Sequence, residues 1–304
     1  MARALSVVEL AEGVHGLVAG VNCAVIEAPD KTAVLVDSGQ DADHGKGVKR
    51  ALAALGLTPT AIICTHSHAD HFGGNAYLLR QFPDIEVFAP EVEADVIRAP
   101  ELEPIALFHG AAPLPELRSS WLMAPASPVH REVEAGAYTV AGVPLELIDV
   151  RGHAHRQLAV KVGDVLLAAD AVFGSETLTR YPLPFGQDVA GQLSAHDTVA
   201  AVDARVLLPG HGAPTVDVQG IVEENRRAVT AANDAVADAV SALRGGGTED
   251  VLAACGGTLG LEMNDLARYH LNFCTVSAHL GYLRATGRIV AELSGGRLAW
   301  RSAS

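Results

Sequence analysis

Cysteine is scarce in this chain, and none of it is spaced for chelation. Cys23, Cys64, Cys255 and Cys274 form no CxxC or CxC pair, which argues against a cysteine zinc knuckle. They read as reduced, small core residues, as expected of a cytoplasmic protein. Positive charge is also short. The formal net charge of -14 disfavours broad contact with nucleic acid or an anionic membrane, since both need a positive field; a local basic groove stays compatible with it. A long apolar run is missing from the first twenty residues, which hold Glu9, Glu12 and His15, so neither a signal peptide nor a membrane span is expected. There is no fixed-period repeat. What the chain does have is apolar mass. Its 304 residues are 49% hydrophobic, enough for one large domain with a smaller one beside it.

The opening half reads as strand, strand, helix, strand. Residues 21–27 and 32–37 are apolar runs separated by the turn signal Pro29-Asp30. Residues 46–55 have helical spacing and stop at Gly56, and 61–64 form a short buried strand. A helix over 75–81 and a strand over 85–89 follow. Residues 100–128 are proline-rich, carry Trp121 and show no clean period; they read as a long irregular insertion, either a surface excursion or a segment that serves a site. Strands return at 138–140, 145–150, 158–162, 165–169 and 206–208. Strands first paired by hairpins and then alternating with helices suggest two sheets with helices outside. A long amphipathic helix spans 221–244, with Val222, Val229, Ala232, Val236, Val240 and Leu243 on one face. After Gly245-Gly246-Gly247 come short helices, a helix over 275–286, and a hairpin of 288–293 with 297–301. Helices followed by a two-stranded hairpin outline a winged helix. The expected division is a large domain over 1–220 and a helical, winged-helix-like domain over 221–304.

The densest chemistry lies in "CTHSHADHFGG", residues 64–74. His66, His68, Asp70 and His71 crowd the loop leaving a buried strand, and imidazole with carboxylate is the usual donor set for zinc and similar divalent ions. His66 and His68, two apart on an extended loop, can point the same way. Asp70 and His71 can point to a second position. Three more candidates each follow a buried strand: His153 in "RGHAHRQ", Asp170 in "LLAADAVF" and His211 in "LLPGHGAP".

These segments closely resemble the metallo-beta-lactamase superfamily, whose pattern runs HxHxDH, His, Asp, His in chain order. The resemblance covers about residues 5–215 and includes Asp37 in "VLVDSG". It implies an α/β (α+β) fold, a four-layer αββα sandwich with the site at one edge, here followed by the small winged-helix-like domain. It also implies two divalent metal ions, zinc foremost and iron or manganese as alternatives. His66, His68 and His153 would hold one; Asp70, His71 and His211 the other; Asp170 would bridge, and Asp37 would orient the ligand loop. A hydroxide shared by the metals would then attack, with Asp70 fixing it and shuttling its proton. The implied activity is hydrolysis.

Within the superfamily, Asp170 stands where zinc lactamases of one type place a cysteine, which turns the reading away from antibiotic resistance. The sequence is similar to glyoxalase II-like enzymes, lactonases and thioesterases, so a small ester, thioester or lactone is the expected substrate. "THSHADH" is also similar to the persulfide dioxygenases, which use one iron. Where these relatives read GHTPG, this chain has Gly152-His153-Ala154-His155-Arg156; His155 and Arg156 either line the pocket and bind an anionic or carbonyl group, or face solvent. Tyr181, His109 and His196 lie in segments that could overhang the site, and His44 follows the Asp37 loop; each is also compatible with a structural or surface role. The tail resembles the beta-lactamase-like protein 2 group, some of which cut single-stranded RNA. Yet residues 245–304 hold five Lys/Arg and five Asp/Glu, too neutral for a typical nucleic-acid module. RNA is thus the less favoured partner, no membrane partner is expected, and a homodimer is an expectation from the relatives alone.

Overall fold

The fold is taken from a computed structural model that describes residues 5–303. The chain begins with β1 (Ser6–Ala11), β2 (Val14–Val18), β3 (Cys23–Ala28), β4 (Thr32–Val36), α1 (Ala42–Leu55), β5 (Thr58–Ile63), α2 (Ala69–Phe72), α3 (Asn75–Gln81), β6 (Glu86–Pro90), α4 (Glu93–Arg98), α5 (Leu102–Leu107) and β7 (Arg131–Val133). The seven strands lie in sequence order in one sheet, antiparallel from β1 to β4 and parallel from β4 to β7. A second sheet follows, ordered β12-β11-β10-β9-β8, from β8 (Gly136–Val140), β9 (Val143–Asp149), β10 (Leu158–Val162), β11 (Val165–Ala169) and β12 (Val206–Pro209). Between β11 and β12 run α6 (Ser175–Arg180) and α7 (Val189–Ala201).

Side-chain alternation explains the layers. In β4, Val34 and Val36 face a core shared with the second sheet, while Ala33 and Leu35 face Val48 and Leu52 of α1. In β11, Val165 and Leu167 meet the first sheet, while Leu166 and Ala168 meet Ala195 and Val199 of α7. Both faces of these strands are buried, which is why they read as unbroken apolar runs. The result is helix, sheet, sheet, helix.

The tail comprises α8 (Val218–Leu243), α9 (Thr248–Leu259), α10 (Leu266–Ala285) and the hairpin β13 (Ile289–Ser294) with β14 (Arg297–Ser302). Helix α8 serves two cores: Val218, Ile221 and Val222 pack beneath the second sheet, while Ala232, Val236 and Val240 pack with α9 and α10. Its expected face is buried except at Leu243, which is 37% exposed. Helix α10 starts nine residues before the expected Thr275, because the Asp265 carboxylate accepts from Arg268 N–H and caps it. The 100–128 insertion is less irregular than expected. It holds α5 and a turn of 3-10 helix at Pro115–Arg118, and its Leu107, Leu117 and Leu122 pack against Ala267 of α10. All four cysteines are free, and Cys23, Cys64 and Cys255 are buried. Among the described residues no helix is long and apolar enough to cross a membrane.

Candidate metal centre

Every candidate ligand sits just beyond the carboxyl end of a strand, on one edge of the sandwich, where clefts of such sheets form. His66 and His68 leave β5 and Asp70 and His71 lie on the single turn α2. His153 follows β9, Asp170 follows β11, and His211 follows β12. The ligand turn is folded tightly onto the loop after β4: Ser38 N–H and Gly39 N–H both donate to His71 O, at 2.8 and 3.2 Å. A Cβ at Gly73 would run into Gln40 O and one at Gly74 into Ser38 O, so the two glycines of "HFGG" are what allow the approach.

Four of the imidazoles are held by their outer nitrogen. His71 Nδ1 donates to Asp37 Oδ2 at 2.7 Å. His153 Nδ1 donates to Phe185 O at 3.0 Å and His211 Nδ1 to Gly20 O at 2.7 Å. The Thr65 hydroxyl donates to Asp37 Oδ2 at 2.8 Å, so its oxygen accepts from His66 Nδ1 at 3.0 Å. Each acceptor keeps a proton on Nδ1 and turns Nε2 inward. His66 Nε2, His71 Nε2 and Asp170 Oδ1 are buried there without a hydrogen-bond partner. Buried polar atoms left unpartnered in one place call for a partner that the protein's own side chains do not supply.

Their ligand atoms form three groups within 4.8 Å of one another: His66, His68 and His153; His66, His71 and Asp170; and Asp70, His71 and His211. Asp170 lies between the sets. Its Oδ1 is 3.3 Å from His71 Nε2, and its Oδ2 is 3.3 Å from His153 Nε2 and 3.4 Å from His211 Nε2. Asp70 Oδ2 is 3.4 Å from His211 Nε2. A Cβ at Gly210 would collide with Asp170 Oδ1, so that glycine gives the carboxylate its room. Asp37 and Ala169 hold positive φ, 60° and 47°, an uncommon conformation for residues with a side chain and one that clusters at functional sites.

Electrostatics separates the two sets. Burial pushes His66 well down, His68 to about 4 and His153 to about 3; these are neutral donors at pH 7. Burial also acts to lower His211 and His71. At His211 the carboxylates of Asp170 and Asp70 outweigh it and raise the group to about 10; at His71, Asp170 and Asp37 do so and hold it well above the ordinary range. Burial pushes the Asp70 carboxyl up, but the hydrogen bond from His211 and the charges of His71 and His211 hold it well below the usual range. In the metal-free chain the second set therefore holds protons where a cation could sit.

The other singled-out residues belong to none of these ligand groups. His155 and Arg156 are exposed, and Tyr181 is 47% exposed. His44 is buried with Nε2 3.7 Å from Cys23 Sγ, and His196 is buried on α7. The His109 ring stacks edge-on against His270 and Phe273 of α10. Sequence reasoning passed over several residues that shape the site. Phe185 packs against His68 and His153, and Phe173 against His153 and His211. Asn225 of α8 accepts from Phe173 N–H at 2.8 Å and donates to Phe173 O at 2.9 Å. Asn22 donates to Pro209 O and Gly212 O, at 2.8 and 2.7 Å, bracketing His211. Phe173 had a signal, three residues past Asp170; the asparagines had none, since each acts on a segment remote in sequence.

The sequence pattern of the metallo-beta-lactamase superfamily matches residues 16–211. The chain is 31% identical over 150 residues to a hydroxyacylglutathione hydrolase of Xylella fastidiosa (strain M12), covering 48% of this chain and 43% of that protein. It is 44% identical over 73 residues to a Synechococcus hydroxyacylglutathione hydrolase, covering 24% and 27%. The match thus spans less than half the length of these curated relatives. Two solved structures share the fold over nearly the whole chain, tail included. A metallo-beta-lactamase family protein from Thermus thermophilus has a TM-score of 0.74 at 22% identity, covering 97% of this chain and 100% of that one. A beta-lactamase domain protein from Burkholderia ambifaria has a TM-score of 0.72 at 20% identity, covering 98% and 93%. With the matched pattern running from the second strand to the last of the seven candidate ligands, the chain belongs to the metallo-beta-lactamase superfamily.

Proposed function

We propose that this chain is a hydrolase that uses two divalent cations, zinc foremost, to cleave a small thioester, ester or lactone. The observation that carries the reading is the pair of ligand sets with Asp170 between them, in which buried His66 Nε2, His71 Nε2 and Asp170 Oδ1 have no hydrogen-bond partner. Nitrogen and carboxylate donors suit zinc, with iron and manganese as alternatives. His66, His68 and His153 would hold one ion and Asp70, His71 and His211 the other, with Asp170 contacting both. Ions held there would supply Lewis acidity to a water and to an acyl oxygen near neutral pH.

The protein's own groups set the rest. Asp37 and the Gly20 and Phe185 carbonyls keep inward lone pairs aimed. The Phe173 and Phe185 rings wall the His153 side and limit water there. Asp70 is the group proposed to take the proton of the attacking water and pass it to the leaving sulfur or oxygen. His155, Arg156 and Tyr181 are the proposed contacts for the outer part of the substrate. Similarity to hydroxyacylglutathione hydrolases supports the thioester in particular. Against an RNA substrate, three of the tail's arginines face acids: Arg268 with Asp265 and Glu262, Arg288 with Asp234, and Arg301 with Glu292. A one-iron oxygenase is told from this reading by metal count, since "THSHADH" is similar in both.

The test is metal analysis of the purified chain together with hydrolysis of a hydroxyacylglutathione, a lactone and a labelled single-stranded RNA, with Asp70→Ala as control. Two equivalents of metal and thioester cleavage lost in the control are expected. RNA cutting lost in the same control, or a single bound iron, would replace this reading.

A further inference from the structure

Glu93 is 2% exposed although it opens α4 in an acidic stretch that reads as surface. Its Oε2 accepts from Ser67 N–H at 3.0 Å and from the Ser67 hydroxyl at 2.5 Å, and its Oε1 accepts from Arg156 N–H at 2.9 Å. Ser67 stands between His66 and His68. Arg156 stands three residues after His153. One carboxylate therefore pins together the two loops that present all three members of the first ligand set.

The backbone is bent to bring it there. Val92 holds φ 70° and ψ -52°, and Glu93 N–H donates to Glu91 O at 2.9 Å. This is a γ-turn of the rare, strained hand, centred on a β-branched residue that strongly disfavours it. All three donors to Glu93 are neutral groups, two amides and a hydroxyl. A second buried acid, Glu103, lies near it; burial, with Glu93 adding to it, pushes Glu103 up to about 7, and buried acids side by side are costly unless positive charge lies near. Cations held at the ligand sets would supply such charge.

We infer that Glu93 is a positioning residue for the first metal: it fixes the separation of the 66–68 and 153 loops, and so governs the affinity of the His66, His68 and His153 set alone. The inference rests on the two-metal reading above. By the same logic Asn22, which brackets His211, governs the second set.

The test titrates the full-length chain, stripped and reloaded, against a chromophoric chelator, and records the visible spectrum of each cobalt equivalent. Glu93→Gln cannot serve both loops with acceptors, and is expected to weaken one of two equivalents by about 10–100-fold, to change the cobalt spectrum of that equivalent, and to leave the other untouched. Asn22→Ala is expected to weaken the opposite equivalent. Ser67→Ala removes only one of the three bonds and is expected to weaken the Glu93-dependent equivalent less; it answers the question if Glu93→Gln does not accumulate. Two equivalents of wild-type affinity and spectrum in Glu93→Gln would overturn the inference. So would equal weakening of both together with a lower melting point of the metal-free protein, which marks a merely structural role. Wild-type protein that binds no metal would instead overturn the two-metal reading.

Discussion

Replacing Asp37 separates the two tasks of its carboxylate. The side chain is 4% exposed and accepts three hydrogen bonds: Thr65 N–H at 2.8 Å, Thr65 O–H at 2.8 Å and His71 Nδ1 at 2.7 Å. In Asp37→Ala the Thr65 hydroxyl can turn elsewhere, but the Thr65 N–H and the His71 N–H stay buried without acceptors. Each such donor costs about 1–3 kcal/mol. Alanine at φ 60° adds roughly 1 kcal/mol, since aspartate tolerates that region better. The expected loss is then about 3–7 kcal/mol, a large part of the roughly 5–15 kcal/mol that holds a domain together. Asp37→Asn behaves differently. Its oxygen can still accept from Thr65 N–H, while its amide turns a donor towards His71 Nδ1. The imidazole then moves its proton to Nε2, the inward nitrogen, and the lone pair aimed at the site is lost. That variant is expected to keep most of its stability and to lose metal affinity by about 10–100-fold. Urea unfolding of the chelator-treated variants, beside chelator competition on the loaded ones, reads both quantities. Equal losses of stability and affinity in the two variants, or a cost below about 1 kcal/mol for alanine, would refute the account of Asp37 as the group that fixes the His71 tautomer.

Three further outcomes follow from the packing. His211 is raised to about 10 in the folded, metal-free chain against about 6.5 unfolded, so its contribution to stability is complete below pH ~6.5 and is lost as pH rises towards 10; the urea midpoint of chelator-treated protein should fall across that window, while apparent metal affinity climbs through it as protons give way to cations. Asn225→Ala strands the buried Phe173 N–H and is expected to cost about 2–4 kcal/mol, checked by thermal unfolding; a loss within experimental error would mean that α8 does not anchor the Asp170 loop. Val92→Gly relieves about 1–3 kcal/mol of turn strain and costs about 0.5–1 kcal/mol of chain entropy, so a net gain of roughly 1 kcal/mol is expected in denaturant titration, and a net loss would show the turn to be unstrained.

What could be read from the sequence was what repeats locally. The strands that carry the ligands are buried on both faces, so residues such as 61–64 and 165–169 stood out as unbroken apolar runs, and the ligands followed at once. The first two strands were passed over because β1 has an exposed face and mixes Glu9 with Val7 and Val8. The start of α10 was hidden because it buries His270, Thr275 and His279 beside Val276 and Leu280, which blurs the apolar stripe. Glu93 was illegible for a different reason. Its role comes from a γ-turn and from two loops at residues 67 and 156, and nothing in "EVEADV" announces either.

The order of the ligands along the chain has a consequence for how the protein matures. His66, His68, Asp70 and His71 leave the ribosome together, whereas His153, Asp170 and His211 follow over a span that takes on the order of ten seconds at usual synthesis rates. During that interval the nascent chain offers an incomplete, solvent-open chelate, able to pick up an ion only loosely and with little preference among metals. Selection must wait for the second sheet to close, and the clamp on Phe173 is not complete until Asn225 has emerged and α8 has formed. On the two-metal reading, the ions retained would accordingly be settled late, by the metals present when folding finishes.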